Sequence, residues 1–241
     1  MKVDSITDVG LVRKHNEDDV RTGLLSNSAW AVVCDGMGGS NAGEVASQNG
    51  VRVISDEIAA NYTADASGNA IKYLLHGALC NANTVIFNLS EEYEEFSGMG
   101  TTAVAALMTR GAVHVCHVGD SRAYLIREDS IQQITKDHSL IQQLVDAGTV
   151  TAEEAKNHPQ RNLITRCLGV HATVESDYGE YPVQPGDLVL LCSDGLTGYL
   201  EDQEILEYAK QMDPSALIRQ LVATALERGG GDNVTIAVIE N

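Results

Sequence analysis

Basic residues are scarce in this chain: 16 lysines and arginines stand against 34 aspartates and glutamates, a formal charge of −18. A surface of that sign is repelled by nucleic acid and by anionic membranes, so neither is expected as a partner. Long apolar runs are missing too. The opening Met1 to Asp8 holds no stretch that could serve as a signal peptide, and no later run approaches the length that spans a bilayer, which predicts a cytoplasmic protein. The five cysteines, at 34, 80, 116, 167 and 192, form no Cys-x-x-Cys pair and read as free thiols. No Pro/Ser-rich or single-sign segment divides the 241 residues, so one domain, 1–241, is expected, with 44% hydrophobic content to build its core.

What the chain does contain is a repeated juxtaposition. Asp35 closes Ala31-Val-Val-Cys, Asp120 follows Val113-His-Val-Cys-His-Val-Gly, Asp194 follows Leu188-Val-Leu-Leu-Cys-Ser, and Asp232 precedes Asn233 and the run from Val234. Asp-Gly alone is a common hairpin signal, and each acid could cap a turn. The runs before Asp35, Asp120 and Asp194 are too apolar to be anything but buried strands, however, and each delivers a carboxylate to its end. Carboxylates gathered at one sheet edge repel one another unless a hard divalent cation joins them. The pattern reads as a carboxylate metal site.

Two helices are expected between the strands, one on Val51, Ile54 and Ile58, the other on Ile71, Leu75, Ala78, Ala82, Val85 and Leu89. Residues 101–108, a turn at Arg110-Gly111, and two further strands through Ala123–Arg127 to Ile131–Ile134 read as one antiparallel meander. Residues 137–168 read as a helical insertion: a short helix ending at Gly148, then a capping box at Thr151 to Glu154. A buried strand runs to Cys192, a helix covers Ile205 to Met212, Asp213-Pro214 opens another, and the last strand is Val234 to Ile239. Strands and helices in blocks favour an α+β fold of packed sheets with helices outside.

Seven strings in this order, Arg13-Lys-His-Asn-Glu17-Asp18, Asp35-Gly-Met-Gly-Gly39, Met99-Gly-Thr-Thr102, Gly119-Asp-Ser-Arg122, Asp137-His-Ser139, Ser193-Asp-Gly-Leu196 and Gly229-Gly-Gly-Asp-Asn233, resemble the motifs of the metal-dependent protein phosphatases of the 2C type. The match spans nearly the whole chain and looks like the compact bacterial catalytic domain. The resemblance implies an α/β/β/α sandwich of two antiparallel sheets flanked by helices, and hydrolysis of phosphoserine and phosphothreonine by a metal-bridging water. It implies that Asp35 bridges two Mg²⁺ or Mn²⁺ ions, with Asp194 and Asp232 on the first and the Gly36 carbonyl on the second. Glu17 and Asp18 would act near the second ion through water, and Asp120 would hold a third, weaker ion with Asp194. Arg13 matches the phosphate-binding arginine, and its guanidinium fork suits two phosphoryl oxygens. Residues 137–168 correspond to a variable flap beside the metal centre. Phosphorylated proteins are the implied substrates and a cognate serine/threonine kinase the implied counterpart.

Cys116 to Arg122 has the Cys-x5-Arg spacing of cysteine-dependent phosphatases, but the segment after Arg122 reads as a strand and Asp120 would intrude on the phosphate. His114 and His117, three apart on a strand, point to opposite faces and suit packing. His138 is the histidine expected near the site. Ser40 stands where many bacterial relatives carry a histidine able to protonate the leaving group, which leaves His138 or water for that task. The rival reading is a catalytically weak phosphoprotein-binding module of the same fold.

Overall fold

The computed structural model describes residues 1–38, 42–156 and 158–241. The strands are β1 (Lys2–Asp8), β2 (Asp18–Leu25), β3 (Ser28–Met37), β4 (Gly100–Thr101), β5 (Ala103–Met108), β6 (Ala112–Val118), β7 (Arg122–Arg127), β8 (Ser130–Gln133), β9 (Asp177–Pro182), β10 (Leu188–Cys192) and β11 (Val234–Glu240). The helices are α1 (Ala42–Asn61), α2 (Gly68–Glu92), α3 (Leu140–Asp146), α4 (Ala152–Lys156), α5 (Asp194–Thr197), α6 (Asp202–Ala209) and α7 (Pro214–Glu227). One sheet runs β1-β11-β10-β7-β8 and the other β2-β3-β5-β6-β9, with β4 paired to β3, and all their pairings are antiparallel.

Alternation along the strands sorts side chains into three apolar layers. Ala29, Ala31 and Val33 of β3 meet Ala123, Leu125, Val189, Leu191, Ala237 and Ile239 of the opposite sheet, so the space between the sheets is filled largely by small and β-branched residues. The other face of β3, with Val32 and Cys34, lies under α1 and α2. Tyr124, Leu190, Cys192, Ile236 and Val238 lie under α5, α6 and α7. Each fully enclosed Leu, Ile or Val contributes roughly 1.5–3 kcal/mol. The architecture is the expected α/β/β/α sandwich.

Helix ends follow their side chains. Asp213 caps α7 by accepting from the Ser215 and Ala216 amides at 3.0 and 3.1 Å, with Pro214 at the first helical position. Ser67 caps α2 through the Ala70 amide. The Thr151–Glu154 box forms in both directions, at 3.2 and 2.9 Å, and opens α4. The helix expected to reach Met212 ends at Ala209, and the one expected around Val51 extends over the whole of α1.

The single meander over 101–134 is corrected. β5 and β6 pair in one sheet, whereas β7 and β8 belong to the other. The chain crosses between sheets at Gly119, whose φ of +103° favours glycine and whose notional Cβ would lie 2.6 Å from Thr102. That crossing carries Asp120.

Candidate active site

Asp18 and Asp35 are direct cross-strand partners in the β2/β3 register. Asp35 continues the strand face of Ala29, Ala31 and Val33, which looks between the sheets, so both carboxylates open at the end of the sandwich. Like charges directly opposite are destabilising in a ladder. The other sheet adds three more acids at this end. Asp194 is the first residue of α5 just past β10, Asp232 precedes β11, and Asp120 occupies the sheet crossing.

Neutral side chains brace these acids. The Asp35 amide donates to Thr102 Oγ1 at 3.0 Å, and its carbonyl accepts from Thr102 N at 2.8 Å and Thr101 Oγ1 at 2.9 Å. Ser193 Oγ donates to Asp18 Oδ2 at 2.7 Å and accepts from the Thr235 amide at 3.0 Å. Asn233 accepts from the Glu17 amide at 2.8 Å and donates to the Val9 and His15 carbonyls at 2.9 and 3.0 Å, which fastens the loop carrying Arg13 and Glu17 to the start of β11. At Gly36 a notional Cβ would lie 2.0 Å from Gly43 O and 2.6 Å from Glu17 O, so only glycine lets these three backbones meet. Thr101, Thr102, Ser193 and Asn233 had no assigned role in the sequence reading. Their signal was present as a small polar residue within or beside each acidic motif.

Burial raises Asp35 well above the ordinary carboxylate range, and Asp18, Asp194, Asp120 and Asp232 add to it. Asp18 is pushed to about 7 by burial, with Asp194 and Asp232 adding to it against the hydrogen bonds from Thr235 and Ser193. Asp120 also reaches about 7, through burial and then Asp194 and Asp137. Asp194 is raised by burial and by Asp232. Glu17 is raised by partial burial. An arrangement that resists losing its protons in the absence of positive charge is suited to receiving a cation.

Arg13 Nη2 donates to Asp232 Oδ2 at 2.9 Å, with both residues partly exposed at the rim. His138 is buried, and its ring stacks on His117 at 4.8 Å. Its Nδ1 accepts from the Gly119 amide at 3.1 Å, which puts the ring proton on Nε2, 3.4 Å from Asp177 Oδ2. Both nitrogens thus face protein partners. Cys116 is buried with its thiol pushed up to about 12, and Arg122 forks onto Asp137 at 2.7 to 3.1 Å, so the Cys-x5-Arg segment forms no phosphate cradle. His114 and His117 are both buried, hydrogen-bonding with Tyr178 OH and the Lys136 carbonyl at 2.8 and 2.9 Å. Ser40 lies outside the described residues.

A cleft of about 900 Å³ adjoins Asp120 and Asp194, walled by α3 and α4 on one side and by 197–203 on the other. Among the described residues no three acidic, histidine or cysteine side chains already converge on a single ligating point. Asp18 instead turns to Ser193 and Asp232 to Arg13. The donor set still fits a hard divalent cation, being all oxygen and mutually repulsive, with the Gly36 backbone among the acids.

The protein phosphatase 2C family profile matches residues 12–228. The chain belongs to this family. It is 40% identical to the serine/threonine phosphatase Stp of Listeria innocua, over 97% of this chain and 93% of that one. It is equally similar to the serine/threonine protein phosphatase PstP of Mycobacterium tuberculosis, over 97% of this chain but 44% of the longer relative. Among solved structures, Staphylococcus aureus Stp1 superposes with a TM-score of 0.94 at 36% identity, covering 100% of this chain and 94% of that one. The catalytic domain of PstP in complex with two manganese ions superposes at 0.88 with 37% identity, covering 99% and 97%. The chain is a metal-dependent serine/threonine protein phosphatase, and phosphorylated proteins are its substrate class. No helix among the described residues is long and apolar enough to cross a membrane.

Proposed function

We propose that the carboxylate end of the sandwich hydrolyses phosphoserine and phosphothreonine with two Mg²⁺ or Mn²⁺ ions, Asp35 lying between them. Asp194 and Asp232 would complete the first position, and the Gly36 carbonyl the second. Glu17 and Asp18 would orient the second through water, and Asp120 with Asp194 would take a third ion. Bound, these ions supply an activated water and neutralise charge on the phosphoryl oxygens. The observation that carries the reading is the in-register pairing of Asp18 with Asp35, with Asp194, Asp232 and Asp120 arriving from the opposite sheet and the crossing. The PstP structure with two manganese ions supports the count of two.

Arg13, at the rim beside Asp232, would hold two phosphoryl oxygens by its fork of donors. Ser193, Thr102 and Asn233 orient Asp18, Asp35 and the Glu17 loop. Residues 137–168 form a flap within the single domain 1–241, and the cleft under it would receive the polypeptide around the phosphorylated residue. The counterpart would be a serine/threonine kinase, in the cytoplasm, where thiols such as the five free cysteines stay reduced. Phosphate release from a phosphothreonine peptide, with Mn²⁺ and with chelator, tests the reading. Turnover only with metal is expected. Metal-independent turnover would overturn the metal assignment, and binding of the peptide without turnover would favour the regulatory module instead.

A further inference from the structure

The flap stem and the turn bearing Asp120 meet at one side chain. The stem is a short antiparallel contact: Ser139 bridges Ile164, Leu140 N donates to Leu163 O at 2.8 Å, and Thr165 N donates to His138 O at 2.7 Å. His138 then grips the turn twice, its own amide donating to Gly119 O at 2.9 Å and its Nδ1 accepting from Gly119 N at 3.1 Å. The far edge of the ring faces Arg166 Nη1 at 3.3 Å and Asp177 Oδ2 at 3.4 Å, and Arg166 binds Asp177 Oδ1 at 2.9 Å. One ring face is covered by His117, itself held by the Lys136 carbonyl at 2.9 Å.

These contacts leave the imidazole little freedom and commit its two nitrogens to different tasks. A backbone amide can only donate, so Nδ1 must be an acceptor and Nε2 must carry the proton toward Asp177; Arg166, also a donor only, makes no hydrogen bond with that nitrogen and pairs with Asp177 instead. The Gly119 amide is buried, and Nδ1 is its one hydrogen-bond partner among the described residues. Its carbonyl keeps the His138 backbone bond in any variant. The side chain therefore fixes the direction of the Val118–Gly119 peptide unit, while the backbone amide of His138 holds the next one, which leads into Asp120.

We propose that His138 is a positioning residue that transmits the set of the flap stem to Asp120 through the Gly119 amide, rather than the proton donor for the leaving group. The inference rests on the phosphatase reading and on Asp120 holding an ion. Asparagine and glutamine separate the two ring nitrogens, because the Asn amide oxygen can take the place of Nδ1 whereas the Gln amide reaches the place of Nε2. His138→Asn should keep turnover of a phosphopeptide within about threefold of the parent, and His138→Gln should lose about tenfold, the scale of one buried hydrogen bond.

The second measurement asks whether the loss runs through Asp120. In a double-mutant cycle, His138→Gln on top of Asp120→Ala should cost little beyond Asp120→Ala alone, since residues acting as a unit are not additive. Calorimetric Mn²⁺ titration gives a readout apart from activity: His138→Gln should weaken the same low-affinity site that Asp120→Ala removes and leave the tighter ions in place. Equal losses in the Asn and Gln variants, no loss in either, or multiplying losses in the cycle would overturn the proposal. A loss of phosphopeptide turnover in both variants with p-nitrophenyl phosphate turnover retained would restore His138 as proton donor. A parent protein without metal-dependent turnover would instead overturn the phosphatase reading itself, a separate outcome.

Discussion

The two ends of the β2-β3-β5-β6-β9 sheet are built from the same strands on opposite electrostatic plans. At the far end Ser28 Oγ lies 2.6 Å from Tyr62 OH, Arg110 donates to Asn27 at 2.9 Å, and His114 meets Tyr178 OH at 2.8 Å, around a cavity of about 590 Å³. Mostly neutral groups there satisfy one another. At the near end, along the same β3, Asp35 faces Asp18 with three more acids close by, and the nearest guanidiniums are Arg13 on Asp232 and Arg122 on Asp137. One end is finished as folded; the other is completed only by positive charge from outside. A catalytic end that lowers stability until it binds its cofactor is a familiar exchange.

The largest effect should come from the acids themselves. Asp35→Asn, Asp194→Asn and Asp232→Asn should each lower Mn²⁺-dependent turnover by about 10²-fold or more while keeping the far-ultraviolet circular dichroism of the parent, since each carboxylate supplies charge that no neighbour replaces. Near-normal turnover in all three would erase the distinction between the ends. Arg13→Ala comes next. A guanidinium that binds phosphate equally in ground and transition states should raise KM for a phosphopeptide by about tenfold with a smaller change in kcat. An unchanged KM would return Arg13 to an ion pair of the rim.

The ends should also respond to pH with opposite sign. Burial lowers the His114 pKa below its usual 6.5, so the folded chain binds fewer protons there than the unfolded one. Its contribution to stability is present above 6.5 and is lost as pH falls through the folded value. Asp120, raised from 3.8 to about 7, contributes stability below the lower value that is lost as pH rises through the upper one. In chelator, Asp120→Asn should therefore melt above the parent at about pH 8 and close to it at about pH 4. His114→Gln should lose less of its own melting temperature on acidification. Parallel curves for parent and variants would mean that neither group titrates as its surroundings imply. The smallest effect belongs to the far end: Tyr62→Phe should cost about 1 kcal/mol in denaturant unfolding and leave Mn²⁺-dependent turnover intact.

Much of this contrast was legible before any coordinates. The runs that end in Asp35, Asp120 and Asp194 are apolar enough to declare buried strands, and the acids at their ends mark the carboxylate end of the sandwich, the place proposed for the metal. β1, β2 and β9 escaped notice because they are only half-buried, so their alternation is blurred by polar residues on both faces. Gly119 was read as a link within one meander, because a positive φ that sends the chain into a second sheet leaves no mark in hydropathy. His138 was visible as a residue near the site but not its tautomer, which depends on an amide nineteen residues away in the chain.

Mn²⁺ titration of the metal-free chain, followed by calorimetry in the parent and in Asp35→Asn, tests the central claim most directly. Two tightly bound ions per parent chain are expected, apart from the weaker site at Asp120, with a rise in melting temperature on binding, and Asp35→Asn should lose both the tight binding and the rise. Undiminished binding in Asp35→Asn, or a parent that takes up no ion, would contradict the view that the acidic end of the sandwich is completed by metal.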